Sequence, residues 1–194
     1  MKTLKVLIII MATLCGTAFL LPKEITVTRT VKINSSIEDV FEQANILKNW
    51  TNWSTWHEMD PNANYSYSNP DEGAGASYSW NGDPELVGAG HLTILKSKAN
   101  KSIHTEVVFL NDGKENGRGN GKWNFTEDGQ ETKVSWSFTV DMGNNPVARW
   151  IGLVIDSILG PQLEKGLNNM KKYLEALTTE MMIEELPIDS IIVE

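Results

Sequence analysis

Residues 146–177 read PVARWIGLVIDSILGPQLEKGLNNMKKYLEAL, the only stretch beyond the amino-terminal leader long enough for a major helix. Val147, Trp150, Ile151, Val154, Ile158, Leu163, Leu167, Met170, Leu174 and Leu177 recur at three-, four- and five-residue steps. That spacing lays an apolar stripe along one side of a helix, and such a stripe requires a cover. Pro146 suits the first helical position, where its missing amide costs nothing. Gly160-Pro161 is expected to kink the helix into two halves, because an internal proline removes a hydrogen bond and crowds the preceding turn.

The cover is a sheet, because everything between Ile25 and Met142 reads as short strands apart from one short helix. Thr132 to Val140 alternates Val134, Trp136, Phe138 and Val140 against Lys133, Ser135, Ser137 and Thr139. Glu24 to Ile33 does the same with Ile25, Val27, Val31 and Ile33 on one face. Alternation of this kind marks strands with one dry and one wet face. Asn34-Ser35-Ser36 supplies caps for a short helix through SIEDVFEQANIL, with Glu38 and Asp39 in its first turn and an end expected near Asn49. Further strands follow at Ala63 to Tyr67, Ala76 to Trp80, His91 to Lys98, Ser102 to Leu110 and Lys122 to Thr126. Between the last two, NDGKENGRGNG is rich in Gly and Asn and reads as a linker.

The order is therefore β-α-β-β-β-β-β-β-α: an α+β fold in which about seven antiparallel strands curve around one long carboxy-terminal helix. The dry face carries Tyr65, Tyr67, Tyr78, Trp80, Trp123, Phe125, Trp136 and Phe138. A sheet cupping a single helix leaves a tapering gap, and aromatic walls suit either a filled core or a flat apolar ligand. Trp53, Trp56, Trp150 and Val154 join Tyr67 and the later aromatics as candidate cavity residues. Trp50, Trp53 and Trp56 stand three apart, a spacing that stacks indoles along one edge of a tight turn, as a loop pinned to the core or as an aromatic gate. Arg29 falls on the dry face of its strand, so it either pairs with an acid and snorkels to water or binds an anion inside the cavity.

Composition narrows the function. The formal charge is −8, and setting aside residues 1–21 removes only Lys2 and Lys5, leaving −10 on the rest. No basic cluster is present to neutralise phosphates, so nucleic acid is not an expected partner. His57, His91 and His104 lack metal-ligand spacing, no GxSxG elbow occurs, and the glycine-rich stretches lack a strand-then-helix setting. No metal, cofactor or catalytic residue is expected, although His57-Glu58 beside the tryptophans is the polar group to test for acid–base work. The single cysteine, Cys15, lies in the leader.

Residues 1–21, MKTLKVLIIIMATLCGTAFLL, place two lysines before an apolar run. The run is expected to be a membrane anchor with Lys2 and Lys5 on the cytoplasmic side, although it is slightly short of the ~20 residues a spanning helix needs. The alternative is a signal cleaved after Ala18, giving a secreted protein. Either reading puts the globular part, residues 24–177, outside the cytoplasm. Residues 178–194 carry acids and no base, and are expected to form a loosely held tail.

The stretches LPKEITVTRTVKINSS, NWTNWSTWHEMDPN, GAGASYSWNG, VGAGHLTI and ETKVSWSF, followed by the helix ending EKGLNNMKKYLE, carry a resemblance. In that order they resemble the START-like, helix-grip superfamily, and within it the membrane-anchored bacterial proteins of the polyketide cyclase or SRPBCC type. The resemblance implies a helix-grip fold and a small hydrophobic ligand, a lipid or a polyketide-like molecule, held between sheet and helix. Two functions fit: a membrane-tethered carrier, or a cyclase- or hydrolase-type enzyme acting in the same cavity through Arg29, Tyr78 or His57. A third is an interaction domain with a filled core.

Overall fold

The computed structural model describes residues 2–184. Seven antiparallel strands form one sheet in the order β1-β7-β6-β5-β4-β3-β2. They are β1 (Glu24–Ile33), β2 (Asn64–Tyr67), β3 (Ser77–Asn81), β4 (Ala89–Lys98), β5 (Ser102–Asn111), β6 (Lys114–Asp128) and β7 (Glu131–Asp141). Chain neighbours pair through hairpins from β2 to β7, while β1 crosses to the outer side of β7, with Glu24 opposite Asp141 and Ile33 opposite Thr132. Five helices complete the described chain: α1 (Lys2–Ala18), α2 (Ile37–Asn45), α3 (Thr55–Met59), α4 (Pro146–Gly152) and α5 (Ile155–Glu184). This is the expected α+β helix-grip architecture.

Local chemistry explains the short helices. The Ser36 hydroxyl accepts from the Asp39 amide at 3.1 Å and starts α2, whose Ile37, Val40, Phe41 and Ala44 enter the core. The α-helix stops at Asn45, short of Asn49, and the chain tightens into a 3₁₀ turn over Leu47–Asn52. That turn is short because 3₁₀ hydrogen bonds are poorly aligned.

Three other expectations change. Residues 114–121 lie within β6 instead of forming a linker, with Gly119 against the Phe138 ring and Gly121 against the Thr105 hydroxyl. The terminal helix is divided at Leu153-Val154, where the Leu153 and Val154 amides bond back to Trp150 and Ile151, and it runs unbroken as a helix through Gly160 and Pro161. Gly160 packs beneath the Arg29 guanidinium, the far end of a flexible side chain. Lastly, α5 extends past Leu177 to Glu184, so the boundary expected for the tail falls inside a helix; residues 185–194 lie outside the described part.

The helix stripe is covered only in its second half. Leu163, Leu167, Met170 and Leu174 are buried in the central cluster, whereas Val147, Trp150, Ile151, Val154 and Ile158 are exposed. At the leader, α1 carries exposed apolar side chains from Leu4 to Leu14, and no helix among the described residues is long and apolar enough to cross a membrane. Its carboxy-terminal end is fastened to α4. Arg149, only 4% exposed, donates through its guanidinium to the Ala18, Phe19, Leu21 and Gly143 carbonyls and the Asn144 amide oxygen, with the guanidinium carbon 5.2 Å from the Phe19 ring centroid.

Candidate ligand-binding cavity

The space between sheet and helix is half filled and half open. In the filled half, Trp50 and Trp53 descend from the 3₁₀ turn onto Trp123 and Trp136. Trp123 and Trp136 stack at 4.2 Å and 17°, while Trp53 meets both edge-on at 5.6 and 5.8 Å. Edge-to-face and offset contacts of this kind suit the ring quadrupoles. The Trp50 and Trp53 indole N–H groups donate to the Ala44 and Gln43 carbonyls, which fixes the turn on α2. On α5, Gly166 lets Trp53 and Trp136 approach the helix backbone.

The open half is a cavity of about 250 Å³. The sheet wall comprises Tyr65 from β2, Tyr78 and Trp80 from β3, Leu92 from β4, Thr105, Val107 and Phe109 from β5, and Trp136 and Phe138 from β7. Trp50, Trp56 and Leu159 close the helix side, and Leu86 and Val87 contribute from the β3–β4 loop. Two of the wall rings lie against glycines. A Cβ at Gly119 would collide with the Phe138 ring, and one at Gly90 with the Trp80 ring. A third glycine, Gly121, leaves room for the Thr105 hydroxyl. The missing side chains of Gly119 and Gly121 in β6 and of Gly90 in β4 thus let neighbouring side chains settle against the strand backbone, one of the uses of glycine within a sheet.

The cavity is electrically quiet. Among the described residues, no charged side chain lines it. Burial pushes the Tyr65 phenol up to about 12 and that of Tyr78 further still, so both keep their protons and serve as neutral hydroxyls. His57 sits behind Tyr65, stacked on it at 4.1 Å, and burial pushes its ring down to about 4. Both His57 ring nitrogens lack a hydrogen-bond partner among the described residues. Glu58 does not share the environment of His57: it pairs outward with Lys165 at 2.9 Å.

Of the twelve cavity candidates drawn from the sequence, Trp56, Tyr78, Trp80, Trp136 and Phe138 line the space. Trp53, Trp123 and Phe125 are buried in the filled half, and Tyr67 packs on Tyr78 beside the cavity. Trp150 and Val154 sit on the surface of α4 and the turn after it. Arg29 is also outside the cavity. It makes a two-pronged bond to Asp156 at 3.0 and 3.1 Å, so it pins β1 to the start of α5 and is no anion site within the cup. Sequence reasoning passed over Thr105, Val107 and Phe109 of β5, which alternate along the strand with His104, Glu106 and Val108. It also passed over Leu86, Val87 and Leu159, which are brought in by a loop and by the helix break.

A curved sheet gripping a helix, with an apolar cavity between them, defines a helix-grip domain. The chain belongs to the family described as polyketide cyclase / dehydrase and lipid transport, which matches residues 24–175. Solved structures with the same fold include StfQ, a di-domain ARO/CYC protein from the steffimycin biosynthetic pathway, at 10% identity and TM-score 0.59 over 80% of this chain and 52% of that one. Protein Ms6760 from Mycobacterium smegmatis is similar at 17% identity and TM-score 0.56, covering 79% of this chain and 92% of that one. A protein from Staphylococcus epidermidis is similar at 19% identity and TM-score 0.54, covering 79% and 90%. At these identities the likeness shows the fold alone. No curated protein matches the chain.

Proposed function

We propose that the chain is a membrane-tethered binding protein that holds part of a small hydrophobic molecule, a lipid or polyketide-like compound, in the open half of the cup. The observation that carries this reading is the lining: aromatic and aliphatic walls, two neutral phenols, one threonine hydroxyl and no charge. Such a surface favours burial of apolar groups and offers an acid–base step no ionised partner. Its volume supports a partial guest. At about 30 Å³ per water-sized unit, 250 Å³ holds roughly eight methylene-sized groups, worth about 6 kcal/mol of burial at ~0.8 kcal/mol each. The tether is α1, whose apolar side chains stand in the open and whose lysines favour a cytoplasmic amino terminus, with the globular part on the other side.

The test is native mass spectrometry of the full chain gently extracted from its host membrane, paired with titration of the apolar dye N-phenyl-1-naphthylamine. A co-purifying apolar mass that the dye displaces is the expected result. Protein recovered empty that also fails to take up the dye overturns the proposal.

A further inference from the structure

We infer that the cavity mouth is seated on the lipid surface, with α4 lying along the bilayer and α1 inserted beside it, so that a guest passes between bilayer and cup without crossing water. This rests on the reading of α1 as the tether.

Strand register locates the mouth. Glu24 of β1, Asp141 of β7, Gly119 of β6, Phe109 of β5, Ala89 of β4 and Asn81 of β3 all fall at one end of the sheet. That end holds the lining residues with the greatest exposure, Leu86 at 49% and Phe109 at 39%. It is also the end where α1 enters β1 and where β7 leaves for α4, with the Met142 amide bonded to the Lys23 carbonyl at 2.7 Å.

The same end carries an apolar surface without a cover. On the β1 side, Val147, Leu153, Val154 and Ile158 are 66%, 57%, 51% and 58% exposed. Large apolar patches of this kind mark interaction surfaces. Lipid is the occupant that fits, for three reasons. First, the patch is continuous with the apolar α1: Arg149 binds the last α1 carbonyls to α4, and the Trp150 indole donates to the Leu14 carbonyl at 3.1 Å. Whatever environment α1 occupies, α4 is held at its edge. Second, seventeen helical residues rise about 25 Å against a hydrocarbon core of about 30 Å, so α1 alone falls short and draws its carboxy-terminal end toward the lipid. Phe19, Leu20 and the α4 face make up the difference. Third, exposed charges at this end are mostly acidic, among them Glu24, Asp83, Glu85, Asp112 and Asp141, so the attraction is apolar and neutral lipid suffices.

The test uses the full chain carrying Cys15→Ser, with single cysteines introduced as Ile8→Cys, Val154→Cys, Leu86→Cys or Glu127→Cys, each labelled with bimane in phosphatidylcholine nanodiscs. All four positions are exposed, so the label should be tolerated. Labels at positions 8, 154 and 86 should be quenched by doxyl-labelled acyl chains and shielded from aqueous iodide, while the label at 127, at the far end of the sheet, shows the opposite. Iodide quenching at 154 or 86 equal to that at 127, with 8 still in lipid, overturns the seated mouth and leaves the tether standing. Iodide quenching at position 8 overturns both.

Discussion

Val107→Phe separates an open cup from a filled core. Val107 lines the cavity, stands opposite Gly119 in the sheet, and is buried, so a larger side chain there points into the space of about 250 Å³. Phenylalanine adds four carbons, which displace about that many methylene-sized units of guest. At ~0.8 kcal/mol each the guest loses about 3 kcal/mol, a weakening on the order of a hundredfold. In a close-packed core the same enlargement would cost ~1–3 kcal/mol of stability, but here the ring enters unoccupied space and stability should hold or rise. Val134→Phe is the control, because Val134 is fully buried outside the cavity lining and should show the overpacking loss. Dye titration and urea unfolding of the two variants read both quantities. If Val107→Phe unfolds as easily as Val134→Phe, or keeps full dye affinity, the cavity is not the binding space and the reasoning fails.

Three further outcomes are expected. His57 is held near pKa 4 in the fold against 6.5 when free, so the unfolded chain takes up the proton first as pH falls; the neutral ring's contribution is complete above pH 6.5 and lost toward pH 4. Urea unfolding at pH 7.5 and 4.5 should show a difference of up to about 3 kcal/mol, reduced by the ring's partial exposure, that His57→Phe removes. Gly160→Ala should change stability by less than ~1 kcal/mol, because the group it meets is the far end of the flexible Arg29 side chain and the helix propensity gained offsets the disturbed pairing with Asp156; Asp156→Asn, which weakens a half-exposed ion pair, should lower the unfolding midpoint only slightly, and chemical denaturation reads both. Trp53→Ala should cost ~3–5 kcal/mol, because it empties the indole cluster, while Trp56→Ala at the cavity edge should weaken dye binding more than it lowers the unfolding midpoint.

The strands were legible because one face is dry: Val134, Trp136 and Phe138 against Ser135 and Ser137 need no tertiary information to be read as β7. The half of the terminal helix from Leu163 to Leu174 was legible for the same reason at a different period. Where the reading missed, two distant segments had to be known together. Gly119 and Gly121 look like loop until Phe138 and Thr105 are known to lie across them. Gly160-Pro161 looks like a hinge, but the break falls earlier, at Leu153-Val154, where tight-turn hydrogen bonds close α4. Trp150 and Val154 belong to a stripe whose first half meets no sheet, and hydrophobic spacing alone does not say what covers a surface. Arg29 showed its need for a partner but not the partner's identity, since Asp156 is far along the chain.

The glycine seats under Phe138 and Trp80 have a consequence for the range of guests. A methyl group added at Gly119 would press the Phe138 ring toward the vestibule, and one at Gly90 would crowd both the Trp80 ring and the Val108 carbonyl of the neighbouring strand. Selectivity by size can therefore drift through substitutions on the far side of the wall, and an inventory of guest-touching atoms would miss the positions that set the bore.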